Sequence, residues 1–287
     1  MESTSDYMRR NMPAALVILT ALAVFFPVLQ WLVSVWGSPL QPFAGWVAPL
    51  VTAALLWDSR ERLSDLVGEG SSWGLLPLAL ALVIYLLSVW MHIKVAGAFA
   101  FILVIWALVL LLAGWPMARA TLFPIGFLLF MLPWAWLRDA LTFPLRLLST
   151  RMAAWLPLAL GVPTEVAGTD IWLGDHLVRV DLECSGLSYT ISLFACALLL
   201  LYLNPTSRWR GALLLLSVFP LSLLANVIRI DLTILLVLVF GPAAGKGVWH
   251  TATGIVVFVL VVIMLIAVEA ILCRSSMFGR QSQSSES

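Results

Sequence analysis

The segment DLECSGLSY, residues 181–189, places a cysteine between an acidic residue and a Ser-Gly pair. It lies where a short polar stretch gives way to a long apolar one, as at the start of a membrane helix. A helix N-terminus and a nearby cation both lower the pKa of a thiol and favour the nucleophilic thiolate. Cys184 is therefore a candidate nucleophile. With three cysteines in 287 residues, the chain gives no sign of a disulfide framework.

Two further polar residues are predicted at the membrane depth of Cys184. His250, in GVWHTATG, begins another predicted span on the same side of the membrane. Arg229, in LLANVIRIDL, follows Gly211 by 18 residues. At about 1.5 Å per residue this distance is about 27 Å, close to the roughly 30 Å apolar thickness of a bilayer. Asn226 lies three residues before Arg229, on the same helix face.

A thiol, a guanidinium and an imidazole from three spans form a set suited to acyl transfer through a thioester. His250 could take the thiol proton and return it to a leaving amine. Arg229 stays charged and could stabilise a tetrahedral oxyanion or orient a substrate carbonyl. Asn226 could add a hydrogen bond. The thiol would then meet a substrate that enters from the outer face of the membrane.

Each of these residues also has a purely structural interpretation. Cys184 could be a small buried apolar residue, as we expect for Cys196 and Cys273. Arg229 could extend its charge to the membrane surface from a helix end, and His250 could be an interfacial residue beside Trp249. The histidines and cysteines show no ligand-like spacing, so we predict neither a metal site nor another cofactor.

The composition defines the class of protein that has to position these groups. The chain is 62% hydrophobic and 11% charged, with a mean hydropathy of +1.04. Soluble domains carry about 25% charged residues, so the sequence predicts an all-helical, multi-pass membrane protein embedded in a lipid bilayer. The net charge of +1 and the lack of a long basic run give no reason to expect nucleic-acid binding.

Eight apolar segments are predicted to span the membrane. They are about 13–36, 41–57, 73–92, 95–115, 119–137, 185–203, 211–232 and 250–272. An even number of spans puts both termini on one side. The arginines of the short loops then share that side, which the positive-inside rule identifies as the cytoplasm of an inner membrane. We predict that the candidate site faces the extracytoplasmic side.

The one long segment between spans, about 138–183, is predicted to form a small outer cap. RDALTFPLRLLSTRMAAWLPLALG has mixed helical periodicity and indicates an amphipathic interfacial helix. TEVAGTDIWLGDHLVRVDLE alternates around Gly174-Asp175 and indicates a short β-hairpin. Past Arg229, TILLVLVF at 233–240 is too short to span alone, and we interpret it as an extension of the seventh span. A full extra span at 231–249 would move His250 to the other side.

Three motifs resemble those of the exosortase/archaeosortase family of membrane cysteine transpeptidases. They are ECSGLS at 183–188, NVIRI at 226–230 and WHTATG at 249–254. The likeness covers about 120–272 and includes LALGVP before the strand segment, whereas the first four spans carry little of it. After CSG the chain has LSYT, where many relatives carry a basic residue.

The resemblance implies that Cys184 is the nucleophile and that Arg229 and His250 are its catalytic partners. Asn226, Ser185 and Gly186 would support them. It also implies exported protein substrates with a C-terminal signal made of a short motif such as Pro-Glu-Pro, a membrane helix and a basic tail. The acyl group would pass to an amine acceptor that the sequence does not identify.

Two rival functions are open at the level of sequence. In a plain intramembrane cysteine protease, water would resolve the thioester. A transporter or polysaccharide-export subunit would need polar residues through the full thickness of several spans, and the predicted spans are nearly free of charge. We divide the chain into N-terminal membrane helices at 1–119, a catalytic core at 120–272 and a disordered cytoplasmic tail at 273–287.

Overall fold

The structure is a computed structural model that describes residues 4–37, 44–133, 135–180, 186–245 and 247–284. Its helices are long and apolar, as expected for a chain that satisfies its backbone hydrogen bonds inside a bilayer. The chain forms two compact units, residues 1–133 and 134–287. Each unit has its own packing.

The first unit is entirely helical in the residues described. Its elements are α1 Thr4–Trp36, α2 Ala44–Asp58, α3 Arg60–Asp65, a 3-10 turn Ser72–Gly74, α4 Leu75–Met91, α5 Lys94–Ala120, α6 Leu122–Phe127 and a 3-10 turn Leu128–Met131. Helices α4 and α5 form a tight antiparallel pair. A side chain at Gly97 would come within 2.7 Å of the Ser88 hydroxyl, so a residue without Cβ is required where the two helices touch.

The second unit carries the three motifs. It consists of α7 Ala135–Ala153, α8 Trp155–Ala159, strands β1 Thr164–Ala167, β2 Asp170–Leu173 and β3 His176–Arg179, then α9 Leu187–Leu203, α10 Arg208–Phe240, a 3-10 turn Pro242–Gly245 and α11 Gly247–Ser284. Helices α9, α10 and α11 pack around a shared apolar core. Its fully buried side chains include Leu193, Leu214, Val218, Val257 and Leu265.

A small antiparallel sheet of order β1-β2-β3 packs on one face of α10. Ile171 and Val178 of the sheet are buried against Ile230 and Ile234 of α10. The hairpin predicted around Gly174-Asp175 is confirmed, since Leu173 pairs with His176 across that turn. Strand β1 is an addition to the prediction, and the amphipathic stretch forms α7 and α8.

The eight predicted spans correspond to eight apolar helices, and the all-helical membrane fold is confirmed. Five are long and apolar enough to cross a membrane: Leu16–Trp36, Ser72–Met91, Lys94–Ala120, Arg208–Phe240 and Gly247–Cys273. Three are shorter: Gly45–Asp58, Leu122–Met131 and Tyr189–Leu203. In the part of the chain that the structure describes, full-length spans therefore number five rather than eight, because a straight span takes about 20 residues.

Helix α10 includes the apolar stretch 233–240, which could have been an extension of the seventh span or part of an additional one. It runs unbroken for 33 residues, from Arg208 to Phe240, which at about 1.5 Å per residue is about 50 Å. The stretch is therefore an extension of the seventh helix, as predicted. Only the 3-10 turn Pro242–Gly245 lies between α10 and α11 in the described residues, so 231–249 does not form an additional span.

The compact units divide between Pro133 and Trp134, because α6 and the turn Leu128–Met131 pack on α2 and α5. The division predicted at 119–120 separates the motif-bearing core from the preceding helices and stays a prediction. The tail predicted to be disordered from residue 273 is helical to Ser284, since no proline interrupts the hydrogen-bond ladder of α11. Residues 285–287 lie outside the described range.

Candidate active site

Arg229 and His250, predicted from sequence to converge, are in contact. Nη2 of Arg229 lies 3.2 Å from Nε2 and 3.4 Å from Nδ1 of His250. The two residues come from α10 and α11, and both are half-buried. A guanidinium only donates hydrogen bonds. The contact is therefore a hydrogen bond when the facing ring nitrogen carries a lone pair, as it does in a neutral imidazole.

The Arg229 guanidinium is also held by Tyr189, the third residue of α9. Its Cζ lies 5.8 Å from the centroid of the Tyr189 ring, a cation–π contact. The Tyr189 hydroxyl donates to the backbone carbonyl of Gly254 at 3.1 Å. A Cβ at Gly254 would lie 3.3 Å from Cζ of Arg229. The guanidinium therefore lies among three helices, at a point where α11 has no side chain.

Asn226 and Gly186, predicted as supporting residues, meet where α9 begins. Asn226 is fully buried. Gly186 has a φ of +76°, and a Cβ there would lie 3.1 Å from Cβ and 3.5 Å from Nδ2 of Asn226. Glycine satisfies both constraints, because it adopts positive φ readily and adds no atom toward the amide. Asn226 thus packs against the residue that lies two positions after Cys184.

Hydroxyl hydrogen bonds fix α9 to α10 next to this contact. The Thr190 hydroxyl lies 2.9 Å from that of Ser222 and 3.1 Å from the carbonyl oxygen of Gly186. The Ser222 hydroxyl donates to the Phe219 carbonyl at 2.9 Å. The start of α9 is therefore fixed in both register and direction.

Cys184 and Ser185, the predicted nucleophile and its neighbour, lie outside the described residues. The structure describes the chain on both sides of them. Gly186 follows and contacts Asn226, and Val180 precedes. The Val180 carbonyl accepts hydrogen bonds from Arg146. Of the six predicted site residues, four are thus described, and these form two contacting pairs, each with one member on α10.

An apolar groove of about 420 Å³ runs along α10 and α11 beside His250. It is lined by Leu232, Leu235, Leu236, Val239, Phe240, Trp249, Ala252, Thr253 and Val256. Phe240 and Trp249 stack at one end, with ring centroids 6.2 Å apart. The Thr253 hydroxyl donates to the His250 carbonyl at 3.0 Å, so the groove and the imidazole share one turn of α11.

Three residues of this cluster were not singled out from the sequence: Tyr189, Gly254 and Arg146. Tyr189 belongs to the motif SGLSY and Gly254 to HTATG. A glycine inside a helix indicates that another group packs closely there. Arg146 lies 34 residues from its partner Val180, and no local pattern links the two. In the described residues, no group of three or more His, Cys, Asp or Glu side chains is placed to hold a metal ion.

Comparison with known proteins gave one match. The family model described as transmembrane exosortase matches residues 36–267. The match contains all three motifs and extends into the first unit, well before residue 120, where the resemblance noted above began. No curated protein and no solved structure matches the chain.

Proposed function

The chain belongs to the transmembrane exosortase family, and from this premise we propose that it is a cysteine transpeptidase that cleaves C-terminal sorting signals of exported proteins. Cys184 is the nucleophile, and Arg229 and His250 are its catalytic partners. The observation that carries the proposal is the contact between the Arg229 guanidinium and the His250 ring. A cation that can stabilise an oxyanion and an imidazole that can carry a proton are groups suited to acyl transfer by a thiol.

In the proposed reaction, His250 accepts the Cys184 proton and the thiolate sulfur attacks the scissile carbonyl carbon. The electron pair of the C=O bond moves to oxygen, and Arg229 stabilises that oxyanion. The tetrahedral intermediate then collapses, the C–N bond breaks, and His250 returns the proton to the leaving amine. A thioester remains on Cys184. Attack by an acceptor amine releases the product and regenerates the thiol.

The contact between Arg229 and His250 also sets the order of events. While Nη2 donates to the imidazole, it occupies the lone pair that must accept the thiol proton. The carbonyl oxygen of a bound substrate offers the guanidinium a second acceptor. Arg229 turns from His250 toward that oxygen before the proton moves, which frees the imidazole lone pair, and it then stabilises the oxyanion as the stronger, charged acceptor forms.

The proposed substrates are exported proteins that end in a short motif, a membrane helix and a basic tail. The groove beside His250 supports this class, because its lining is apolar along α10 and α11. A peptide bond just outside a membrane helix would lie level with the ends of these helices. We place the enzyme in the inner membrane with Cys184 on the extracytoplasmic side, as the loop arginines suggest.

Substitution of the cysteine tests the proposal directly. Cys184→Ala and Cys184→Ser are expressed in cells with a tagged substrate chosen by its C-terminal signal, and its size and membrane attachment are followed. We expect full-length substrate to accumulate with both variants while the enzyme itself stays in the membrane. Continued processing would refute the proposal, provided that a known relative processes the same substrate in a parallel culture.

Hydrolysis and transfer are separated by the product. Purified enzyme is given the substrate with and without hydroxylamine, and the new C-terminus is identified by mass spectrometry. Without the amine, a transpeptidase accumulates the thioester and turns over slowly, and hydroxylamine raises its turnover and gives the hydroxamate. A protease that uses water yields the free acid at its full rate without the amine.

The side of the membrane is tested by a cysteine introduced at Lys246, in a chain that lacks the native thiols. An impermeant maleimide should label it in intact cells after the outer membrane is permeabilised. Labelling that requires lysis of the inner membrane would place His250 on the cytoplasmic side and contradict the proposed site.

A transport function has less support. In the described residues, the buried polar side chains are serines, threonines and one asparagine, and none is charged. A path for ions or polar substrates would expose polar groups through the thickness of the bundle. Among the buried polar side chains of the second unit, Ser222 and Asn226 contact the start of α9, and Thr142, Ser149 and Thr150 lie on α7.

A further inference from the structure

The apolar groove between α10 and α11 begins beside the contact of Arg229 with His250. Leu232, which lines its α10 wall, follows Arg229 by three positions and so lies on the same helix face. The α11 wall includes Ala252 and Thr253, which follow His250 closely. The Thr253 hydroxyl donates to the His250 carbonyl at 3.0 Å. A substrate whose scissile bond lies at Arg229 and His250 therefore meets this groove directly beside that bond.

The lining of the groove favours an apolar occupant. Eight of its nine described side chains are hydrophobic, and none of the nine is charged. The hydroxyl of the ninth, Thr253, is already used within α11. A polar or charged segment would lose its hydrogen bonds with water in such a place and find few to replace them. The lining therefore suits the apolar segment of a substrate and not a polar recognition motif.

The length of the groove matches two turns of a helix. Leu232 and Phe240 lie eight residues apart on α10, and Trp249 and Val256 lie seven apart on α11. At about 1.5 Å per residue the two walls are about 12 and 10 Å long, and one helical turn rises about 5.4 Å. Both walls belong to helices that are long and apolar enough to span a membrane. A segment that enters apolar surroundings must satisfy its own backbone hydrogen bonds, as a helix does.

Small residues lie at the middle of the α11 wall. Ala252 and Thr253 are flanked by the larger Trp249 and Val256. Ala252 is exposed, so its methyl group faces the open groove. Membrane helices approach one another closely where such small residues lie. At one end of the groove the rings of Phe240 and Trp249 stack, and aromatic side chains gather at the membrane surface. An apolar segment would thus enter at the aromatic end and pass over Ala252.

We propose that this groove binds the first two turns of the substrate's membrane helix, on the C-terminal side of the scissile bond, and that Ala252 sets the room available to them. The inference rests on the proposed function and assigns a binding site to one part of the sorting signal. The groove contributes to substrate binding and not to the chemical step, because its side chains are apolar. A lipid acyl chain also matches the lining, and the experiment distinguishes it from a helix.

Photocrosslinking identifies the occupant. Benzoylphenylalanine replaces Ala252 in full-length Cys184→Ala enzyme, which binds the substrate without turning it over, and membranes that contain the tagged substrate are irradiated. We expect an adduct that mass spectrometry maps to the first two turns of the substrate's helix, about seven residues. Adducts with lipid alone, or with the polar motif, would overturn the proposal.

Ala212 is the matched control position. It is an exposed alanine of α10 that does not line the groove. It precedes Leu232 by 20 residues, which at about 3.6 residues per turn places it on the opposite face of α10. The same probe at Ala212 should give no adduct with the substrate's helix. Equal adducts at the two positions would show contact without a defined site and contradict the proposal.

Filling the groove gives a second, kinetic test. One methylene group more or less in an apolar pocket changes kcat/KM by about 10- to 200-fold. We therefore expect Ala252→Leu to raise KM at least about tenfold at unchanged kcat, and Ala252→Trp to raise it further. Ala212→Leu and Ala212→Trp should keep the parent KM. Cleavage of the tagged substrate by purified full-length enzyme measures both constants.

Failure of this inference and failure of the proposed function give different results. If Cys184→Ala abolishes cleavage while Ala252→Trp keeps the parent KM, the groove does not bind the helix and the proposed function stands. A loss in Ala252→Trp confined to kcat would also contradict a binding role. If Cys184→Ala still cleaves the substrate, the proposed function fails, and the inference that rests on it fails with it.

Discussion

The ring of Tyr189 lies under the guanidinium of Arg229, 5.8 Å from ring centroid to Cζ. The same side chain reaches α11 through its hydroxyl, which donates to the Gly254 carbonyl. A cation over an aromatic face gains about 0.5–2 kcal/mol, more as water is excluded. Tyr189, which is 7% exposed, therefore holds Arg229 toward His250 and ties α9 to α11 in one contact.

Two substitutions at Tyr189 separate these contributions. Tyr189→Phe keeps the ring and loses the hydrogen bond to Gly254, so we expect kcat to fall by less than about fivefold, since a neutral hydrogen bond contributes about 1 kcal/mol. Tyr189→Leu also loses the cation–π contact and should lower kcat by about 10- to 100-fold. The kinetics of substrate cleavage by purified enzyme measure both effects. A folded Tyr189→Leu enzyme with the parent kcat would contradict the role assigned to the ring.

Gly254 leaves room for the guanidinium. In Gly254→Ala the new Cβ would lie 3.3 Å from Cζ of Arg229, so the guanidinium must shift by a few tenths of an ångström. Alanine is better than glycine inside a helix by about 1 kcal/mol, so we expect little loss of thermal stability but a roughly tenfold lower kcat.

Gly211→Ala is the matched control for that variant. Gly211 is also helical, and a Cβ there would meet Leu201 at ordinary distances of 3.5 and 3.6 Å. We expect the control to keep the parent kcat and a similar melting temperature. If Gly254→Ala and Gly211→Ala have the same kcat, the close approach between Gly254 and Arg229 is not needed for cleavage.

Gly186→Ala should harm the enzyme through two separate effects. A residue with a Cβ pays roughly 1–2 kcal/mol for the left-handed conformation, and its Cβ would press on Asn226 at 3.1 Å. Gly161 has nearly the same φ, +75°, with nothing within 4 Å of a Cβ. Gly161→Ala therefore measures the backbone cost alone.

We expect Gly161→Ala to lower the melting temperature slightly and to leave kcat unchanged. Gly186→Ala should lower the melting temperature further and remove most of the cleavage activity, because the start of α9 moves away from Asn226. Thermal unfolding and cleavage assays of the two purified variants provide the comparison. Equal behaviour of the two would mean that the contact with Asn226 is not needed.

The meeting of Arg229 and His250 could be predicted from the sequence because helical rise is regular. A rise of about 1.5 Å per residue from Gly211 places Arg229 near the level of the start of α11. Arg229 and His250 both lie on long apolar helices. Asn226 was predicted from its position on the same helix face as Arg229, and Gly186 was included through the resemblance. The contact between Gly186 and Asn226 depends on how α9 packs on α10. The spacing of residues within one helix does not reveal that packing.

Arg146 shows what the sequence alone could not provide. Within α7 it was one of several arginines spaced along an amphipathic pattern, which predicts a solvated charge at an interface. Its three hydrogen bonds go to residues 23 and 34 positions away. They exist only because the sheet folds back onto α7.

The extent of the family likeness was underestimated from the sequence, since apolar spans without polar motifs carry little recognisable pattern.

If Arg229 and His250 act as a unit, their substitutions should not be additive. Each group depends on the other, since Arg229 contacts the imidazole at rest and must release it before the imidazole can accept the thiol proton. Groups that share one chemical step show this behaviour, and removing the second costs little once the first is gone. We therefore expect Arg229→Gln, His250→Gln and the double variant to have kcat/KM values within about tenfold of one another.

The cycle is measured with purified enzymes on one substrate, and modification of Cys184 by N-ethylmaleimide is followed in parallel. If His250 is the base, His250→Gln should slow this modification at neutral pH, because less thiolate is present. Arg229→Lys separates charge from geometry: it keeps the cation but lacks the planar fork, so we expect it to restore only a minor part of the rate. Losses that simply multiply in the double variant would mean that the two residues act in separate steps, and the contact between them would then be structural.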